Sequence, residues 1–193
     1  LKPIKDNVDD NLNSQVRAIV FNCFENLGTF PIDDFKDYLK NINIEDKSFF
    51  SKIGIRIGAK FFFMPNFLKK RQIELNAILW KNYYGSNLEE NYPLPENGRV
   101  SFTTNLQMPV HYWSSIGYIC FNKFVCRVDV FEKIFYLARK KYKNGPFLES
   151  ADLMNPIGCN SSQLNDILSF CGYKAIYLPN DKKLYYFSQN KNI

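Results

Sequence analysis

The sequence predicts an α+β chain, mainly helical, in which an N-terminal helical layer with short strands precedes a terminal unit of helices closed by a β-hairpin. Three observations predict this. Apolar residues recur at helical spacing in several windows, each bounded by a capping residue or a glycine. Short aromatic and β-branched runs fall between them. The C-terminal stretch reads helix, helix, helix, strand, turn, strand.

The first helix is expected near Ser14 to Leu27, where Val16, Ile19, Val20, Cys23, Phe24 and Leu27 share one face and Gly28 follows as the C-terminal cap. Pro31 suits the first turn of a second helix, with Asp33 and Asp34 at its positive end and Phe35, Tyr38, Leu39 and Ile42 along its apolar stripe. A short helix fits Glu45 to Lys52. Ile55 and Ile57 flank Arg56 in a strand pattern that runs on to Met64, with Gly58 marking a bend. Pro65 then opens a helix that carries Leu68, Leu75, Ile78 and Leu79 and ends at Gly85. Pro93, Pro95 and Gly98 rule out regular structure over 91–99.

Val110 to Ile116 reads as a short helix. Tyr118–Phe121 and Phe124–Arg127 flank the polar pair Asn122-Lys123 and read as a hairpin. Asp129 is positioned to cap the next helix, with Glu132 reaching back; Phe131, Ile134, Phe135, Ala138 and Tyr142 form its buried stripe. A second helix is expected from Leu148 to Met154. Asn160, with Gln163 three residues on, caps a third that buries Leu164, Ile167 and Leu168 before Gly172. Tyr173–Leu178 and Lys183–Ser188 then form strands around a turn at Pro179-Asn180-Asp181. Three helices followed by a hairpin is the order of a winged helix-turn-helix. The expected organisation is a helical region with a short strand segment over 1–85, a connector over 86–108, and a hairpin plus winged-helix-like domain over 109–193.

Of the 193 residues, 46% are hydrophobic and 17% aromatic, which supports a packed core and argues against disorder. No apolar run is long enough to cross a bilayer, no signal peptide opens the chain, and five irregularly spaced cysteines argue against a disulfide framework. A cytoplasmic, membrane-free setting is expected. The chain opens at Leu1 with a polar, unpatterned stretch and reads as a segment of a longer polypeptide. Net charge is +6, unevenly spread: residues 1–50 hold six basic and nine acidic side chains, a balance of −3, while 51–193 carry +9. That balance favours a polyanionic partner.

Phosphate-binding loops and Gly-x-Gly-x-x-Gly turns are missing, and the single histidine, His111, lies on an aromatic helix, where a packed or surface role outweighs catalysis. Cys120, Cys126, Cys159 and Cys171 lack zinc-knuckle spacing. No catalytic residue and no metal ligand is expected. The basic positions form three groups: Lys69, Lys70 and Arg71; Arg139, Lys140 and Lys141, with Lys143; and Lys182 and Lys183 on the predicted wing. The candidate reading helix, Ser161 to Cys171, has no Lys or Arg. Its outward residues, Ser162, Gln163, Asn165, Asp166 and Ser169, lack the arginines that read guanine. Contacts to a nucleic-acid backbone are therefore expected in place of base reading.

The order of short motifs carries a resemblance. Ile53-Gly54-Ile55-Arg56-Ile57-Gly58, Phe63-Met64-Pro65, Leu68-Lys69 and Leu79-Trp80 form one block. Tyr112-Trp113, Ile116-Gly117-Tyr118, Arg127-Val128-Asp129, Glu132 and Leu137-Ala138 form the next. Gly158-Cys159, Gln163-Leu164, Ile167-Leu168 and Gly172-Tyr173 form the last. Across roughly residues 12 to 178 this resembles the C-terminal region of alphaproteobacterial superfamily 2 ATP-dependent helicases, which are similar to the mitochondrial degradosome RNA helicase. The resemblance implies an upstream helicase core in the same polypeptide, holding ATP and Mg. This segment itself needs no cofactor and binds or guides RNA or DNA, single-stranded, alongside other RNA-processing proteins. The rival readings are a winged-helix protein-docking module and an independent winged-helix DNA-binding regulator.

Overall fold

The structure is a computed structural model that describes residues 12–85, 92–96, 98–178 and 183–188. The chain is α+β, and the described residues form three small antiparallel three-stranded sheets. It divides into two compact units, one comprising Leu1–Gly98 and Gln107–Ile119, the other Arg99–Leu106 and Cys120–Ile193. Among the described residues, no helix is long and apolar enough to cross a membrane.

In the first unit, α1 (Ser14–Glu25) starts at Asn13, whose side chain accepts from the Gln15 amide, and buries Val16, Ile19, Val20 and Cys23. Its C-terminus closes through two bonds, Gly28 N–H to the Cys23 carbonyl at 2.8 Å and Leu27 N–H to the Phe24 carbonyl at 3.2 Å. The first left-handed position falls on Leu27 (φ 53°), with Gly28 next (φ 95°). Gly28 is thus one step past the cap expected of it. A side chain there meets the Phe67 ring at 2.9 Å.

Pro31 does not open a helix. It ends β1 (Thr29–Pro31), and helix begins only at Asp33–Phe35 as a 3-10 turn leading into α2 (Lys36–Lys40). Asn43 caps α3 (Ile44–Ile53) through the Asp46 amide. The run from Ile55 to Met64 is a hairpin of β2 (Arg56–Ile57) and β3 (Phe61–Phe63), closed by a Gly58–Phe61 backbone bond of 2.8 Å. Sheet order is β1-β3-β2, with Phe30 opposite Phe62 and their rings stacked at 4.8 Å. These rings anchor the core together with the α1 stripe, Phe50 and Met64.

After a 3-10 turn at Pro65–Leu68 comes α4 (Lys70–Tyr84). It buries Ile73, Asn76, Ala77 and Trp80, while Leu75, Ile78 and Leu79 stay 44–56% exposed. The expected leucine face is therefore not the buried one: α4 packs against the Pro65–Leu68 turn and against α5 (Val110–Ser115), which carries buried Tyr112 and Trp113. Gly117 follows α5 with φ 77°, and a Cβ there falls 2.2 Å from Leu68.

The second unit is built on β4 (Ser101–Thr103), which lies in the stretch read as a connector, and on the hairpin of β5 (Tyr118–Phe121) and β6 (Phe124–Arg127), in sheet order β4-β6-β5. The division between units falls inside β5. Asn122 takes the left-handed turn position (φ 55°). Next come α6 (Val128–Tyr142), β7 (Phe147–Leu148), α7 (Ala151–Met154), α8 (Ser161–Phe170), β8 (Tyr173–Leu178) and β9 (Lys183–Ser188). The last three strands form a sheet in the order β7-β9-β8, and the turn at 179–182 lies outside the described residues.

Of the expected α6 stripe, Phe131, Ile134, Phe135 and Ala138 are buried, while Tyr142 at its end is only partly buried and donates its hydroxyl to the Ser188 carbonyl; Leu164, Ile167 and Leu168 of α8 are buried too. The Asn160–Gln163 capping box forms in both directions. The Asp129–Glu132 box does not. Arg127 occupies the cap position, and its guanidinium takes both Asp129 oxygens at 2.7 and 3.0 Å, a two-point pair that outcompetes a cap. Glu132 is buried. Leu148 belongs to β7, not to a helix, because pairing of Phe147 with Tyr186 and of Leu148 with Tyr185 satisfies its backbone.

Candidate nucleic-acid interface

Among the described residues of the second unit, α6 and its C-cap carry five basic side chains, Lys133, Arg139, Lys140, Lys141 and Lys143. Its inner stripe fixes the rotation of the helix, and the opposite face carries Lys133, Tyr136, Arg139, Lys140 and Lys143, all exposed. Their spacing of three, three, one and three residues places them on one contiguous strip about three turns long. Tyr136, 64% exposed in the middle of four cations, presents a bare ring where an isolated surface tyrosine needs none. The acidic residues of α6 do not offset the strip: Glu132 is buried and Asp129 is clasped by Arg127. The cations also suit the negative end of the helix dipole, which accounts for Arg139 to Lys143 but not for Lys133, a turn and a half earlier.

The residues expected from sequence separate into three situations. Arg139 and Lys140 are on the strip; Arg139 also lies 5.9 Å from the Phe135 ring centre. Lys141 turns aside and pairs with Asp152 at 3.0 Å, half-buried, so it is committed within the protein. Lys183 opens β9 opposite Leu178, and Lys182 lies outside the described residues. Lys69, Lys70 and Arg71 are exposed at the start of α4, in the other unit, with Lys70 3.9 Å from Glu74. Reading charge in blocks misses Lys133 and Tyr136. The signal that finds them is the helical period linking positions 133, 136, 140 and 143.

The helix expected to face bases is further constrained. Gln163 engages its side-chain oxygen with the Asn160 amide at 3.0 Å. Asp166 accepts from the Asn122 side chain at 3.0 Å, tying α8 to the β5–β6 turn. Two of its five outward polar residues thus hold the fold, leaving Ser162, Asn165 and Ser169.

Among the described residues no group of His, Cys, Asp or Glu is arranged to hold a metal ion. His111 lies on the surface with its ring 4.7 Å from Tyr84 and 5.4 Å from Trp80. Burial raises the thiol of Cys23 to about 12 and that of Cys159 to about 11, and pushes Cys120 and Cys126 up as well. A raised thiol is protonated at neutral pH and is a poor nucleophile. Alkylation of the folded chain at neutral pH is therefore expected to be slow at all four and to speed up with pH or denaturant, as mass spectrometry of the labelled peptides reads directly. Rapid labelling of Cys159 in the folded state contradicts this.

Comparison with protein-family models, with curated proteins and with solved structures finds no significant match for this chain.

Proposed function

We propose that this chain is the C-terminal accessory region of an ATP-dependent helicase and grips the phosphate backbone of single-stranded nucleic acid, RNA in preference to DNA. The observation that carries this is the exposed strip of Lys133, Tyr136, Arg139, Lys140 and Lys143 on α6. Cations at helical spacing track a phosphate backbone, and an exposed ring among them offers a base a stacking surface. The element order α6-β7-α7-α8-β8-β9, with sheet order β7-β9-β8, supports a winged-helix-like reading of the second unit. ATP and Mg belong, in this reading, to motor domains upstream in the same cytoplasmic polypeptide.

A second reading, a winged-helix docking module for another protein, is favoured by one observation: Phe170, Ile176 and Tyr177 of the same unit are 45–57% exposed.

Titration of a labelled single-stranded RNA at two salt concentrations separates the readings. The backbone reading expects weak binding with little sequence preference and a steep salt dependence. Changing Lys133, Arg139, Lys140 and Lys143 together to Ala should flatten the salt slope by about 0.7 for each phosphate no longer neutralised, roughly 3 in all. Gln163→Ala and Asn165→Ala should leave affinity nearly unchanged. Absence of binding at low salt, or a slope that ignores the four changes, leaves the docking module ahead.

A further inference from the structure

Helix α4 turns apolar side chains outward as well as inward. Its buried face carries Ile73, Ala77 and Trp80. On the opposite face Leu75, Ile78 and Leu79 are 46%, 56% and 44% exposed, and Tyr83, a turn further on, is 81% exposed. At helical spacing these positions form one stripe down the outside of the helix. The apolar surface continues onto α1 of the same unit, where Phe24 shares a concavity with Leu79 and Tyr83, and Phe21, a turn earlier, is well exposed. A surface helix ordinarily turns charge to water, and a contiguous apolar surface marks an interaction site.

The charges beside the stripe say what covers it. Glu74 and Lys81 lie seven residues apart in the chain, hence two turns apart on the same flank of the helix. Glu74 is about half exposed, and its contact with Lys70 is long, at 3.9 Å. Lys81 is exposed, with its Nζ 5.0 Å from the Tyr92 ring centre. A second α4 laid antiparallel about a two-fold axis between Ala77 and Ile78 keeps this flank on the same side in both copies. Glu74 then stands opposite Lys81 of the second copy, and Lys81 opposite its Glu74, one pair on either side of the axis. Leu75, Ile78 and Leu79 of both copies fill the space between. The two Arg71 side chains stay roughly 20 Å apart along the helices. A parallel pairing instead sets Glu74 against Glu74, Lys81 against Lys81 and Arg71 against Arg71. An unrelated partner would have to bring matching charges of its own; a second copy already carries them.

We propose that the outer face of α4 is the contact through which two copies of this chain associate, antiparallel, with Leu75, Ile78 and Leu79 at its centre and reciprocal Glu74–Lys81 pairs at its edge. The contact is independent of the α6 strip and of what that strip binds. One helix face per copy is a small interface, with a dissociation constant on the order of micromolar.

Sedimentation velocity of the full chain at low salt tests this. Over about 1–100 μM the chain is expected to pass from one copy to two. Ile78→Asp, at a position more than half exposed in the single copy, should keep the denaturation midpoint read by tryptophan fluorescence at submicromolar concentration, yet hold the chain as one copy throughout. Glu74→Lys and Lys81→Glu each set like charges against one another twice and should weaken association about 10-fold. The two changes together restore both pairs with their signs exchanged and should recover the parental affinity. An Ile78→Asp variant that still pairs, or a double variant no tighter than the single ones, overturns the proposal. So does a chain that stays single at the highest concentration, which hands the face to a different polypeptide. Assembly beyond two copies overturns the closed two-fold arrangement.

Discussion

Asn76→Ala is expected to destabilise the first unit by about 3–5 kcal/mol, far more than a polar-to-alanine change on an exposed helix. Asn76 is 1% exposed. Its amide N–H₂ donates to the Leu27 carbonyl at 3.1 Å and to the Ser115 carbonyl at 2.8 Å, and its oxygen accepts from the Gln72 side chain at 3.0 Å. One side chain on α4 thereby satisfies the backbone just past α1 and at the end of α5. Each buried acceptor left without a donor costs roughly 1–3 kcal/mol, and the removed atoms leave a void as well. Both tryptophans, Trp80 and Trp113, belong to this unit, so denaturation followed by tryptophan fluorescence reads it directly.

Asn76→Asp sharpens the test by adding a pH dependence of known sign. A carboxylate facing two carbonyl oxygens is repelled, while its protonated form can donate. The folded-state pKa is then raised above the unfolded value of about 3.9. The variant should be least impaired below that value and should lose stability as pH rises through the folded pKa. A stability that is flat across the acid range, or an Asn76→Ala variant as stable as the parent, removes the bridging role.

This asparagine shows what the sequence could not reveal. Its partners are 49 and 39 residues away, and nothing local distinguishes it from a solvated helix residue. The same limit governs the rotation of α4. Leu75, Ile78 and Leu79 give a periodic face as convincing as Ile73, Ala77 and Trp80, and only packing against other elements chooses between them. The strands β1 and β7, three and two residues long, exist because β3 and β9 pair with them, not because their own residues form a pattern.

What was legible rests on short-range chemistry. The Asn160–Gln163 box closes within three residues, and the α6 stripe repeats over four turns with glycine and proline beyond it. Asp129 had the right spacing for a cap but a stronger partner in Arg127. At the candidate interface, Arg139 and Lys140 could be found by charge alone. Removing Lys141 from the set required seeing Asp152 beside it, and adding Lys133 and Tyr136 required the helical period.

Phe131→Ala should have a comparable effect on the second unit, about 3–5 kcal/mol for a fully buried phenylalanine. Phe131 is 0% exposed. Its ring stacks near Phe121 at 5.7 Å and Phe135 at 6.3 Å and meets Phe170 edge-on at 5.8 Å, so it joins the hairpin, α6 and α8. Ring pairs of this kind add roughly 0.5–1.5 kcal/mol beyond area burial. Leu164→Ala, in the same core, removes fewer atoms and should cost about 2–5 kcal/mol. Against a typical domain stability of about 5–15 kcal/mol, Phe131→Ala leaves the unit near its threshold. Tryptophan fluorescence does not read this unit, but its buried cysteines, Cys126 and Cys171, do: their exposure to a thiol reagent across a denaturant series gives its midpoint. That midpoint should fall markedly for Phe131→Ala and much less for Phe131→Leu, which keeps most of the volume. The strip on α6 is presented by this stripe, so Phe131→Ala should also abolish salt-dependent RNA binding once the unit opens, while Phe131→Leu retains it. A midpoint unmoved by Phe131→Ala, or binding abolished in a Phe131→Leu variant that remains folded, breaks the link between this aromatic core and the face it holds outward.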